Sequence, residues 1–117
     1  MRRAEIYEID LNPTRGSEQQ GRRPCVIVQR TVPQEFDEKN PMTIIVPLSD
    51  ANGKPQTLLC PFVTQGIAGT TKDSRILCQQ VRAVAKSRLG KKTGDLPQEI
   101  MLLVDRGLRA VLDLPAK

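Results

Sequence analysis

Tyr7, Ile9 and Leu11 alternate with Glu8 and Asp10, a period of two that predicts a strand with one buried face. Cys25, Val26, Ile27 and Val28 form an unbroken apolar run, as expected of a buried strand. Residues 42–48 give a third apolar segment and residues 57–63 a fourth, in which Pro61 marks an edge or a bulge. Between these two, Asn52-Gly53 predicts a hairpin turn. Residues 74–85 hold one or two further strands with a bend near Gln79-Gln80. Residues 31–41 (with Pro33), residues 66–72 and the basic, glycine-flanked residues 90–94 read as loops or turns.

The period then lengthens. Ile100, Leu103, Val104, Leu108, Val111 and Leu112 share one helical face. Asp95 and Gln98 have the spacing of a capping box, and Pro97 suits a first turn. Gly107 costs such a helix about 1 kcal/mol relative to alanine, which close packing would explain. Many short strands followed by one amphipathic helix predict an α+β, mostly β fold: a small antiparallel barrel with the helix over one end or side. No repeat or linker divides the 117 residues, so one domain is expected.

The long polar connection between the first two strands is the most informative segment. Residues 10–24, DLNPTRGSEQQGRRP, are punctuated by Pro13, Gly16 and Gly21 and end in Arg22 and Arg23. Connections of this length inside a small domain are usually functional or disordered. The paired arginines precede Pro24, where the chain enters the buried strand, so their backbone is held by the core. A fixed cationic pair beside a polar lid suits a bound phosphate.

Charge points the same way. The net charge is +5 and the pI about 9.4, which favours an anionic partner such as nucleic acid or an acidic protein segment. Arg82, Lys86, Arg88, Lys91 and Lys92 fall in one stretch without an acidic residue. Tyr7, Phe36 and Phe62 are the only aromatics, too few for a stacking platform, so bases would be read by amides, backbone groups and arginine planes. There is no histidine, and Cys25, Cys60 and Cys78 lack metal-ligand spacing. Small buried thiols in a reducing cytoplasm are the expectation. Met1-Arg2-Arg3 leads into Glu5 and Glu8 with no apolar segment between, which argues against secretion. No apolar run approaches the ~20 residues of a membrane span.

The segment E-I-Y-x-I-D-L-N-P-T-x-G-S-E-Q-x-G-x-R-P-x-V-I-V resembles the N-terminal signature of the MazF/PemK toxins of bacterial toxin–antitoxin pairs. The likeness continues through IIVPLS, residues 44–49, and DSRILCQQVRAV, residues 73–84, into the C-terminal helix. It implies a small SH3-like β-barrel with a C-terminal helix and one or two short helices. It further implies a homodimeric, sequence-selective, metal-independent endoribonuclease of the cytoplasm, without a cofactor. The substrate would be single-stranded RNA. A cognate antitoxin would neutralise the enzyme by laying an acidic C-terminal tail over the basic groove.

The resemblance assigns residues one by one. Arg23 matches the arginine before proline that is catalytic in the family, and its planar fork suits charge building on phosphorus oxygens. Arginine rarely releases its proton, so charge stabilisation is the role expected. Ser49 occupies a position usually held by threonine and would donate to a nonbridging oxygen, although serine also suits the turn that follows. Glu18 is the nearby carboxylate considered as base for the 2′-OH. Ser17, Gln19, Gln20 and Arg22 are expected to contact RNA, and Gln79 and Gln80 to read bases. Some PemK-branch relatives use an aspartate, a loop histidine and a strand arginine where this chain has Gln79, Ser17 and Leu77. That version of the mechanism does not carry over. Two other readings remain open from sequence: a non-enzymatic toxin of the same fold acting on DNA gyrase, and a nucleic-acid-binding module without catalysis.

Overall fold

In a computed structural model of the protein, residues 1–12, 16 and 21–115 are described. The strands are β1 (Glu5–Asp10), β2 (Arg22–Ile27), β3 (Met42–Asp50), β4 (Phe62–Val63), β5 (Ser74–Ile76), β6 (Arg82–Ala85) and β7 (Leu89–Asp95). Two α-helices, α1 (Gln34–Asp37) and α2 (Gln98–Leu112), accompany them. The strands make one curled antiparallel sheet in the order β4-β5-β3-β2-β1-β7, with β6 also on β3. This is the mostly-β, helix-capped architecture expected, with β4 and β7 at its edges.

Alternation along the strands builds two cores, one on each face. Ile6, Val26, Val46, Leu48, Ile76 and Cys78 face α2, which contributes Met101 and Val104. Ile9, Leu11, Cys25, Ile27, Ile45 and Val84 form the other core. Gly107 lies on the buried stripe of α2 because a Cβ there would meet Cys78 Sγ at 2.7 Å and the Leu58 carbonyl oxygen at 3.0 Å. Leu112, by contrast, is exposed. Of the cysteines, Cys25 and Cys78 are buried and Cys60 partly so, all as free thiols. Burial pushes the Cys25 thiol up to about 12 and that of Cys78 up to about 11.

Four sequence expectations are corrected. The basic segment 90–94 is not a turn but part of β7, which pairs with β1 through Ile6↔Gly94 and Tyr7↔Lys92. Its glycine serves close approach: a Cβ on Gly94 would lie 2.5 Å from the Ala68 carbonyl. The Asn52-Gly53 turn forms, with φ of 50° and 77°, and Lys54 N–H donates to Ala51 O at 2.9 Å. It does not fold the next strand back onto β3, because β5 occupies that edge through Leu48↔Ile76 and Asp50↔Ser74. The expected capping box is absent: Pro97 is the N-cap of α2, and the Asp95 carboxylate instead meets Lys92 Nζ at 3.3 Å.

The fourth correction concerns residues 31–41, where Pro33 starts the single helical turn α1. Asp37 of that turn is held by two cations. Its carboxylate accepts from Lys86 Nζ at 2.7 Å and from the Met1 amino group at 2.7 Å. The Lys86 bond, then the amino-group bond, holds its carboxyl below the ordinary value.

Two outcomes follow for stability. Gly107→Ala gains helix propensity but forces Cys78 and Leu58 apart, so it lowers stability by about 1–2 kcal/mol in a denaturant titration. Asp37→Asn lowers stability at pH 7 by about 1–2 kcal/mol. Because the folded pKa is depressed, this stabilisation is present above the unfolded carboxylate value, about 3.9, and fades as pH falls through the folded one. Unfolding midpoints of the two proteins therefore converge in acid.

Candidate active site

The register of three adjacent strands gathers the candidate residues. Arg23 lies opposite Ile9 of β1. The β2–β3 pairing includes Cys25↔Pro47, and two residues further along each strand stand Arg23 and Ser49. Ser49 in turn lies opposite Arg75 of β5, and Arg75 opposite Phe62 of β4. Extending the β2–β3 register past Cys25↔Pro47, the last pair the two strands form, aligns Ile9, Arg23, Ser49, Arg75 and Phe62 in one transverse row. By alternation this row belongs to the face away from α2, just where the apolar cluster around Ile9, Leu11 and Cys25 ends. Arg23, Ser49 and Arg75 are all partly exposed there.

Arg22 does not join it. Adjacent residues of a strand point to opposite faces, so Arg22 and Arg23 are not one cationic pair. Exposed Arg22 instead lines a separate cleft of about 340 Å³ with Asp10, Asn12, Ser87, Arg88 and Gly90. That cleft sits at the base of the long first loop. Asn12 Oδ1 accepts from Gly21 N–H at 3.1 Å, and Leu11 N–H donates to Gly21 O at 3.0 Å. The Arg88 guanidinium donates to Asn12 O at 3.2 Å. The loop's two ends are therefore clamped together. Ser17, Glu18, Gln19 and Gln20 lie outside the described residues.

Gln79 and Gln80 belong to a 3-10 turn, Cys78–Gln80, between β5 and β6. Both strands pair with β3, but the register shifts by three residues between them, and this turn absorbs the shift. Leu77 N–H holds its start to Pro47 O at 3.0 Å, so the turn is anchored close to Ser49. Gln79 is exposed and Gln80 partly so.

The basic stretch from Arg82 to Lys92 is mostly structural. Lys86 holds Asp37 at 2.7 Å, and Lys92 meets Glu5 at 2.8 Å. Among the described residues no group of three His, Cys, Asp or Glu side chains is arranged to hold a metal. Among the described residues no helix is long and apolar enough to cross a membrane.

A clamped loop base beside an arginine–serine row is also where the sequence signature lies. The family model for PemK-like, MazF-like toxins of type II toxin–antitoxin systems matches residues 2–112. The chain belongs to that family. It is 33% identical over 114 residues to the endoribonuclease MazF of Staphylococcus epidermidis, covering 97% of this chain and 92% of the relative. It is 32% identical over 114 residues to the endoribonuclease EndoA of Bacillus subtilis, covering 97% and 96%. The fold agrees. MazF of Deinococcus radiodurans superposes with a TM-score of 0.78 at 17% identity, covering 97% of this chain and 96% of that one. A mycobacterial endoribonuclease solved with its cognate antitoxin gives 0.76 at 16% identity, covering 100% and 99%.

Arg75 was not singled out from sequence. The signal was present: Ser74, Ile76 and Cys78 are buried, so Arg75 and Leu77 must face the other way. What sequence could not supply was the strand opposite, which places Arg75 beside Ser49.

Proposed function

We propose that this toxin is a sequence-selective, metal-independent endoribonuclease cleaving single-stranded RNA, and that a cognate antitoxin with an acidic tail neutralises it. What supports the reading is the match of the chain to the toxin family, together with the alignment of Arg23 with Ser49 when the β2–β3 register is extended beyond Cys25↔Pro47. The substrate's 2′-OH attacks the adjacent phosphorus. An O2′–P bond forms, the P–O5′ bond breaks, and the products are a 2′,3′-cyclic phosphate and a 5′-OH. Glu18 accepts the 2′ proton in this scheme, and solvent returns one to the 5′ oxygen.

Negative charge grows on the nonbridging oxygens in the transition state. The Arg23 guanidinium binds them as a planar fork, and the Ser49 hydroxyl donates to one of them. Ser17, Gln19, Gln20 and Arg22 contact RNA around the first loop, and Gln79 and Gln80 read an exposed base edge. The active species is a homodimer acting in the cytoplasm, since an isologous pair is the commonest closed assembly and would extend the groove beyond one small chain. The 2′-OH is the nucleophile of choice on chemical grounds: it already adjoins the phosphorus and needs only alignment. This chain has no histidine and, among its described residues, no carboxylate cluster arranged to hold a metal, so it offers poor means of activating water on one.

Arg23→Lys is expected to be nearly as inactive as Arg23→Ala, down about 10²–10³ in single-turnover rate, because lysine keeps charge without the fork. Ser49→Thr retains activity and Ser49→Ala loses most of it. A fully active alanine variant would remove the hydroxyl from the mechanism.

Cleavage is expected to persist in excess EDTA and to stop when a single 2′-deoxy substitution lies 5′ of the scissile phosphate. That strand still binds almost normally, since phosphate contacts dominate affinity. Cutting of the deoxy strand at a rate near that of all-RNA means water attacks and the scheme fails. Absence of any cutting by the wild-type protein leaves the non-catalytic toxin or binding-module readings in its place.

A further inference from the structure

Arg75 is the third polar member of the transverse row. It stands directly opposite Ser49 on one side and Phe62 on the other. Neighbouring strands are spaced by ~4.8 Å, which puts the Arg23 and Arg75 backbones roughly 10 Å apart with the hydroxyl between them. Among the described residues, Arg75 Nε is buried and has no hydrogen-bond partner. A buried N–H without an acceptor is costly and is normally met by a ligand or ordered water. Other cations are differently placed: Arg3 meets Asp105 at 2.6 Å, Lys86 meets Asp37 at 2.7 Å and Lys92 meets Glu5 at 2.8 Å. Arg75 makes no ion pair among the described residues.

The unmet donor matters because of where it sits on the guanidinium. Nε–H and the neighbouring Nη–H form the side-on fork that takes two oxygens of one phosphate or carboxylate. Apolar neighbours fix the strand beneath it: Ile76 pairs with Leu48, both fully buried. The backbone of Arg75 is thus as rigid as the core.

We propose that Arg75 binds the RNA phosphate next to the scissile one, so that the transverse row sets the path of the strand across the sheet. This rests on the endoribonuclease reading above. Arg23 and Ser49 then address the reacting phosphate while Arg75 holds its neighbour. The row runs perpendicular to the strands, so RNA crosses β2, β3 and β5 in turn. Arg75 is a binding residue in this scheme, and its loss falls on KM more than on kcat. Loss of Arg23 does the reverse.

The test uses the full chain and mixed-sequence 2′-O-methyl RNA oligonucleotides, which cannot be cut by 2′-OH attack. Binding is measured between about 50 and 200 mM salt, where affinity for single strands falls with a slope of about 0.7 per phosphate neutralised. Arg75→Met is expected to weaken low-salt binding by about 10-fold and to lower the slope by about 0.7, whereas Arg75→Lys keeps the slope. Thermal unfolding checks that each variant is folded, with Arg75→Gln as a second neutral variant. An unchanged slope in the folded neutral variants overturns the proposal. So does a polyglutamate peptide that competes with wild type but not Arg75→Met while the RNA slope is unchanged, which assigns the residue to an acidic protein segment. Cleavage of unmodified RNA by the wild-type chain is scored separately. Its failure sinks the endoribonuclease reading, while the slopes still decide whether Arg75 holds a phosphate.

Discussion

The hydrogen-bonded register of β3 is the constraint on which the candidate site depends. β3 pairs with β2 on one edge, and with β6 and then β5 along the other. Both faces of the sheet are buried around it, with Val46 and Leu48 in one core and Ile45 in the other. A slip of one residue would turn each apolar set toward the wrong face. The penalty for misregister is therefore paid by the whole core, not by the site. Arg23, Ser49 and Arg75 inherit that precision without contributing to it.

The register also explains why the bend at Cys78–Gln80 exists. A continuous strand from β5 into β6 would carry three residues too many for both pairings. The extra residues leave the ladder as one 3-10 turn, pinned by Leu77 to Pro47 and closed by Gln80 N–H on Leu77 O at 2.8 Å. Amide side chains are thereby presented at a fixed point near Ser49. Gly107 serves the other side of the same turn, letting α2 approach Cys78 within the reach of a hydrogen atom rather than a methyl group. Helix and turn are coupled through that approach, and turn and β3 through the Leu77–Pro47 bond.

Period-two and period-3.6 patterning made β1, β2, β3 and α2 legible from sequence, because each buries a contiguous stripe. The bend at Gln79-Gln80 was legible for the same reason, as a break in the alternation. What failed were local signals overruled by tertiary pairing. Gly90 and Gly94 looked like turn residues, yet Gly94 is small because the Ala68 carbonyl abuts it. Asn52-Gly53 made its turn, but a turn states only that the chain reverses, not which strand it will meet. Asp95 had capping spacing but was drawn to Lys92. In the site, Arg23 and Ser49 were visible through motif and strand position. Their juxtaposition with Arg75 depends on long-range register, which no local window contains.

Charge deserves to be divided by location rather than counted. The basic stretch after Arg82 suggested a nucleic-acid face, but Lys86 and Lys92 neutralise Asp37 and Glu5 in the frame, and Arg88 bonds to the Asn12 carbonyl at the loop base. These cations tie the N-terminal segment, α1 and β7 to the sheet. Lys86 and Lys92 would have to loosen those ion pairs to neutralise a polyanion, whereas Arg88, bonded to a neutral carbonyl, keeps its charge. The cations positioned to act on a ligand are fewer and lie on strands, at the point where apolar side chains give way to polar ones along one row. An arginine there has its backbone fixed by the ladder, so less ordering remains when an anion arrives. Low reorganisation is what charge stabilisation in a transition state requires, and the edge of a doubly buried sheet supplies it.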